Sequence, residues 1–210
     1  MRARAEVTPV RRGRGRPALG ATLISAIGLA LTLGASTPAR AEAATYVLDP
    51  ERSFVHFEVL HFGTSTLRGR FGPVAGAVVL DRAAGRGEVA LSIATASVDT
   101  GLAVFDARLR QDDLLASSAY PQAYFVARQF RFEGDRLAEV RGEFILRGVS
   151  QPLSLYARLF GCRRDAARER EVCGGDFEAE ILRSEFGATF GLPFVANRVT
   201  LRIQVEGVRQ

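Results

Sequence analysis

The stretch Val199-Thr200-Leu201-Arg202-Ile203-Gln204-Val205-Glu206 alternates apolar and polar residues without a break. A period of two is the spacing of a strand whose successive side chains point to opposite faces, one dry and one wet. The pattern recurs at 177–181 and through the series Val55, Phe57, Val59. Further strand candidates lie at 74–80, 88–97, 123–132, 139–146 and 153–160. Turn signals separate several of them: Ala84-Gly85-Arg86-Gly87, Glu133-Gly134-Asp135 and Arg147-Gly148-Val149-Ser150. Strands wetted on one face and joined by short turns imply an antiparallel, all-β domain. About eight of them point to a closed barrel or a sandwich.

One segment departs from this rhythm. Between 100 and 117, Leu102, Phe105, Leu109 and Ala116 fall at helical spacing, and Pro121 ends whatever helix remains. Asp99 or Thr100 can cap its start, and Asp106 and Arg110 stand four apart on one face. A short α-helix is therefore expected to cross the side or the mouth of the barrel. The strands themselves carry full charges on their polar faces: Glu58, Arg158, Glu178, Glu180, Arg202 and Glu206. A membrane barrel turns apolar faces to lipid, where mid-strand charges are costly. The charged faces are expected to look outward to water and the apolar faces inward.

The net charge of +5 suggests a basic protein until its distribution is read. Residues 1–41 hold seven arginines and one acid, which leaves 21 basic and 22 acidic residues for 42–210. Attraction to nucleic acid by net charge loses its support. Within that N-terminal part, an Arg-rich stretch precedes an uncharged apolar run at 18–33, followed by Ala39-Arg40-Ala41. This is the layout of a cleaved secretory signal, with cleavage expected after Ala41 or, as second choice, after Ala43. The run is short for a bilayer span of roughly 20 residues. Residues 42–210 then form one domain of a size that holds a substantial core. Cys162 and Cys173 bracket a charged segment. In an oxidising compartment they read as a disulfide closing a loop, which chain entropy values at about 3 kcal/mol. A metal site competes, but two cysteines without nearby histidines supply too few ligands.

Catalytic patterns are scarce. His56 and His61 stand five apart on one presumed strand and so face opposite ways. No H-E-x-x-H, C-x-x-C, G-x-S-x-G or P-loop pattern occurs, and the absence of lysine removes Schiff-base chemistry. No catalytic residue and no metal ligand is assigned. What the chain offers instead is fourteen phenylalanines, among them Phe186, Phe190 and Phe194 at four-residue intervals. A small barrel is either filled by such side chains or holds one ligand, and periodicity does not choose between the two.

Ordered motifs bear on that choice. Tyr46-Val47-Leu48-Asp49-Pro50 opens a series continued by Ser53-Phe54-Val55-His56-Phe57-Glu58-Val59-Leu60-His61-Phe62-Gly63 and Gly69-Arg70-Phe71. Ser97-Val98-Asp99-Thr100-Gly101, Asp106, Leu109-Arg110, Tyr120-Pro121 and Phe125 follow. Gly142-Glu143-Phe144-Ile145-Leu146-Arg147-Gly148-Val149-Ser150-Gln151-Pro152 and Arg183-Ser184-Glu185-Phe186-Gly187 precede the alternating C-terminal strand. In this order, over residues 45–207, the chain resembles the YceI family of small exported proteins.

The resemblance implies an eight-stranded antiparallel, lipocalin-like barrel with one short helix and an elongated apolar cavity. It implies a periplasmic protein that binds a polyisoprenoid, an isoprenoid quinone or a similar amphiphile, with no cofactor or metal. The expected wall is Val55, Phe57 and Val59, then Phe71, Phe125, Phe144 and Leu146, then Leu201 and Ile203, with Phe186 and Phe190 nearby. His61, at the end of an apolar strand face, is the candidate head-group contact. Asp106 and Arg183 are expected to form a buried structural pair tying the helix to the barrel. The expected partners are the lipid and, transiently, a membrane surface, with no nucleic acid; the chain is expected to be a monomer or homodimer. Two stretches depart from the family pattern, the cysteine-bracketed 163–172 and Leu109-Arg110-Gln111-Asp112-Asp113-Leu114-Leu115. Both are expected to alter the cavity mouth.

Overall fold

The alternating segments pair into one continuous antiparallel sheet that closes on itself. The computed structural model describes residues 43–210, so the expected signal peptide lies outside the described residues. Ten strands form: β1 (Ala44–Leu48), β2 (Phe54–His61), β3 (Ser65–Phe71), β4 (Val74–Asp81), β5 (Arg86–Ala94), β6 (Gln122–Glu133), β7 (Arg136–Leu146), β8 (Val149–Asp165), β9 (Arg170–Leu182) and β10 (Val195–Arg209). Their order is β1-β4-β5-β6-β7-β8-β9-β10-β2-β3, and a β1–β10 pairing closes the ring.

Ten strands and an eight-stranded barrel are compatible, because two staves are broken. β1 and β2 both run along β10, β1 against its C-terminal end (Leu48↔Gly207) and β2 against the rest (Phe57↔Leu201). The break falls at Asp49-Pro50, where a turn is held by Asp49 accepting from the amide of Glu51 at 3.0 Å. Ser53 then re-anchors the chain to β10: its hydroxyl accepts from the amide of Glu206 at 3.2 Å. β3 and β4 form the second broken stave, parted at Gly72-Pro73, where Gly72 has φ 157° and donates its amide to Ser97 Oγ at 3.1 Å.

Beyond that break β3 pairs with β2 on one side, and on the other its one bridge among the described residues is Arg70↔Asp99. The segment 95–120 occupies this side of the barrel in place of a strand. It contains the 3-10 turn Thr95–Ser97 and the helix α1 (Ala103–Leu109). The expected helix is therefore real but shorter than its periodicity suggested. Its N-cap position is Leu102, without a side-chain cap. Asp106 and Arg110 do not pair: Asp106 Oδ1 accepts from the Thr100 amide and hydroxyl at 2.8 and 2.7 Å, and Arg110 donates to the carbonyls of Ala96 and Val98. Both side chains serve the turn leading into the helix, which costs the helix its capping and ion-pair support.

The outer face carries the charges expected of it. Arg68–Glu58, Glu58–Arg202, Arg202–Glu178 and Glu178–Arg158 follow one another at 3.2, 3.6, 2.9 and 3.1 Å across β3, β2, β10, β9 and β8. Such exposed pairs contribute little each and keep this face wet. The inner face gathers the main core, from Val55 and Phe57 through Phe125 and Phe144 to Leu201 and Ile203. Cys162 and Cys173 are directly opposed on β8 and β9 and joined as a disulfide, with Cα atoms 4.0 Å apart.

Candidate functional site: an apolar cavity in the barrel

The inner face does not fill the barrel. A cavity of about 280 Å³ remains, and its wall is built from inward positions of the alternating strands. β2 supplies Val55, Phe57, Val59 and His61; β3 supplies Phe71; β6 supplies Phe125; β7 supplies Phe144 and Leu146; β10 supplies Leu201 and Ile203. Phe190 joins them from the 187–194 loop. Gly69, directly opposite Phe57, makes room for its ring; a Cβ there would stand 2.5 Å from Phe57 Cζ.

Phe186 is the exception among the expected wall residues. It is 1% exposed and packs edge-to-face on Phe144, with ring centroids 5.5 Å apart, behind the wall. The four-residue interval of Phe186, Phe190 and Phe194 is not one face, because Gly187 and Gly191 take left-handed conformations (φ 76° and 79°) and re-aim the chain between them. Phe194, 61% exposed, stacks on Phe62 at the rim with centroids 5.5 Å apart.

The expected pair of Asp106 and Arg183 does not form. Asp106 is taken by Thr100. Arg183 turns to backbone: it donates to the carbonyls of Ala188, Phe190, Val195 and Ala196 at 2.7–2.9 Å and so ties the 187–196 loop to the end of β9. Each group is buried with nearer partners than the other, which removes the reason for an ion pair. Asp106 is not part of the cavity wall, whereas His61 is.

Wall residues beyond those expected come from two sources. Leu91 and Ile93 on β5, and Leu153 and Leu155 on β8, lie at inward positions of recognised strands, and the alternation alone would have found them. Leu109, Leu114 and Leu115 come from the helix and the turns after it, where no period points inward. That segment closes over the cavity. Arg108 forms two 2.7 Å bonds with Asp113 and lies 3.8 Å above the Phe190 ring, while Arg147 donates to the carbonyls of Asp112 and Leu114. The Arg108 hydrogen bonds hold the Asp113 carboxyl below its ordinary range. Of the two departures from the family pattern, this one does shape the mouth. The cysteine-bracketed hairpin does not: it sits at the other end, where Val172 pairs with Val208, whereas His61 pairs with Val195 at the mouth.

Below the main cavity lies a smaller one of about 80 Å³, lined in common by Leu91, Phe125, Leu155 and Ile203. Tyr46, Phe130 and Phe160 line its far part near the disulfide end. The two spaces adjoin at the four shared side chains. Among the described residues the polar side chains on the main wall are His61, Thr95, Arg108 and Arg183. Thr95 is satisfied by donating to the carbonyl of Tyr120 at 2.8 Å, and Arg108 by Asp113.

Comparison with known proteins agrees with this architecture. Residues 46–207 match the YceI-like domain. The chain is 34% identical over 189 residues to Protein YceI of Escherichia coli O157:H7, covering 89% of this chain and 98% of that one. Among solved structures it is similar to a YCEI protein of Campylobacter jejuni (TM-score 0.62, 22% identity, 72% of this chain and 90% of that chain). It is also similar to a polyisoprenoid binding domain from Saccharophagus degradans (TM-score 0.54, 19% identity, 79% and 98%). At these identities the two structures speak for the fold.

Proposed function

The chain belongs to the YceI-like family, and we propose that it is an exported soluble binding protein that carries or sequesters a long-chain isoprenoid in its barrel. In this reading residues 1–41 are a removed signal peptide and the domain works in the periplasm, as a binding protein without cofactor or catalytic step. The observation that carries it is the cavity of about 280 Å³, whose wall is apolar apart from four polar side chains at described positions. The similar fold of the polyisoprenoid binding domain from Saccharophagus degradans supports the same class of ligand. Each five-carbon unit taken from water contributes roughly 4 kcal/mol gross. Three buried units, about 12 kcal/mol gross, exceed the smallest association cost of about 4 kcal/mol by about 8 kcal/mol, which corresponds to about micromolar affinity. The exposed aromatic and aliphatic side chains at the mouth, Phe62, Phe194 and Leu102 among them, suit brief contact with a membrane surface during loading.

Displacement of an environment-sensitive apolar dye by geranylgeraniol tests the reading. The wild-type protein should release the dye as the alcohol is added. Phe57→Arg places a charge in the wall, and it should cut dye retention at least tenfold while the far-UV circular dichroism remains that of a strand protein. Equal retention by the folded variant would place the dye, and the proposed ligand, outside the barrel.

A further inference from the structure

Arg183 is out of keeping with the wall it stands in. It follows the last residue of β9, is 7% exposed and lines the main cavity. Nε donates to the carbonyl of Ala196 at 2.9 Å; one terminal nitrogen donates to those of Ala188 and Phe190 at 2.7 and 2.8 Å; the other donates to that of Val195 at 2.8 Å. A guanidinium has five N–H donors. Four are used, so one N–H on the nitrogen bonded to Val195 lacks an acceptor among the described residues.

The charge is also left uncompensated. No carboxylate of the described residues lies within ion-pair distance of Arg183, and burial alone lowers its pKa from the ordinary value. Carbonyl dipoles ease the cost of a buried cation without cancelling its unit charge, which acts strongly where water is excluded. The other wall cation, Arg108, is already matched by Asp113. His61 stands at the same level of the barrel, because its register partner on β10 is Val195, the residue whose carbonyl Arg183 holds.

We propose that the wall around Arg183 and His61 is a head-group subsite for an oxyanion, the phosphate or carboxylate of a long-chain isoprenoid, with the spare Arg183 N–H donating to an anionic oxygen. The proposal rests on the carrier reading of the cavity and narrows it: the bound amphiphile is an anion, held head-first at the mouth, with its tail directed past Phe125 toward the smaller chamber. Neutral prenyl alcohols fill the apolar cavity and leave the cation unmatched.

Titration calorimetry of the delipidated protein with farnesol and with farnesyl phosphate tests it. The phosphate should bind at least tenfold more tightly, the usual scale for a hydrogen bond to a charged group. Arg183→Gln should remove that preference, and Arg183→Lys should keep part of it. Since Arg183 also ties the 187–196 loop, thermal melts accompany both variants. If Arg183→Gln does not fold, the wild-type preference and Arg183→Lys decide. Equal or tighter binding of the alcohol would overturn the subsite and leave the carrier reading standing, since an unmatched phosphate is penalised by burial. A full preference persisting in folded Arg183→Gln would also overturn it. Binding of neither compound would contradict the carrier reading itself, and the subsite with it.

Discussion

At Gly142 the barrel has no room for a side chain. A Cβ there would lie 2.2 Å from the carbonyl oxygen of Val126 and 2.6 Å from Ala127 Cβ, next to the register shift between Ala127 and Gln129. Backbone of the neighbouring strand cannot give way as a side-chain tip can, so Gly142→Ala should destabilise by about 1–3 kcal/mol in urea unfolding. Gly161, where a Cβ would project into open space, is the control. Gly161→Ala should stay within about 0.5 kcal/mol of the wild type. Glu139 is a second residue whose neighbours decide its behaviour. On the outer face of β7 it is covered by arginines, accepting from Arg131 at 3.1 Å and Arg141 at 2.9 Å. A hydrogen bond from Ser154, then Arg131 and Arg141, lower its pKa from 4.5 to about 2 against the cost of burial. A carboxyl lowered on folding stabilises the native state fully above the unfolded value, and that contribution is lost as pH falls through the folded one. Glu139→Gln should therefore be less stable than wild type by about 1–2 kcal/mol at neutral pH, the exposed arginines limiting the figure. The gap should close between pH 4.5 and 2; a gap that persists at pH 2 would assign the loss to packing.

At the scale of elements, two insertions into the strand pattern lie at opposite ends and have separate consequences. The extended β8–β9 hairpin is tied down by its disulfide, by Arg168–Asp49 at 2.7 Å and by Arg163–Glu206 at 2.9 Å. Replacing both cysteines by serine should cost about 2–3 kcal/mol of stability by the loop-closure argument. Because the hairpin lies away from the mouth, ligand affinity should change less than twofold. A tenfold change would mean that the lower chamber depends on the disulfide. The 95–120 segment was the harder one to read from sequence. Leu102, Phe105 and Leu109 indicated a helix, and one exists, but the Thr100–Asp106 hydrogen bonds shorten its start and turns replace it after Leu109. Phe186 misled for a related reason: spacing along the chain carries no facing once left-handed glycines intervene. Asp106 and Arg183 were recognised as buried without their partners being legible, since backbone carbonyls and a nearby threonine leave no pattern in the sequence. Wall positions on strands were legible because alternation states facing directly; those on turns were not.

Over the whole molecule, the broken staves explain why the barrel is hollow at one end. Where β3 parts from β5, a helix and turns complete the wall of the main cavity, and Leu91, Phe125, Leu155 and Ile203 line both it and the smaller space toward the disulfide end. Alternation with outward charges led to a closed antiparallel barrel, and the resemblance supplied the eight staves and the cavity. The central claim is that the main cavity holds an isoprenoid chain. Mass spectrometry of lipid extracted from the protein purified without detergent from its native host tests that claim most directly. The account expects a prenyl species in near-stoichiometric amount, lost in Phe57→Arg. Recovery of no lipid from repeated preparations, or of the same lipid from Phe57→Arg, would contradict it.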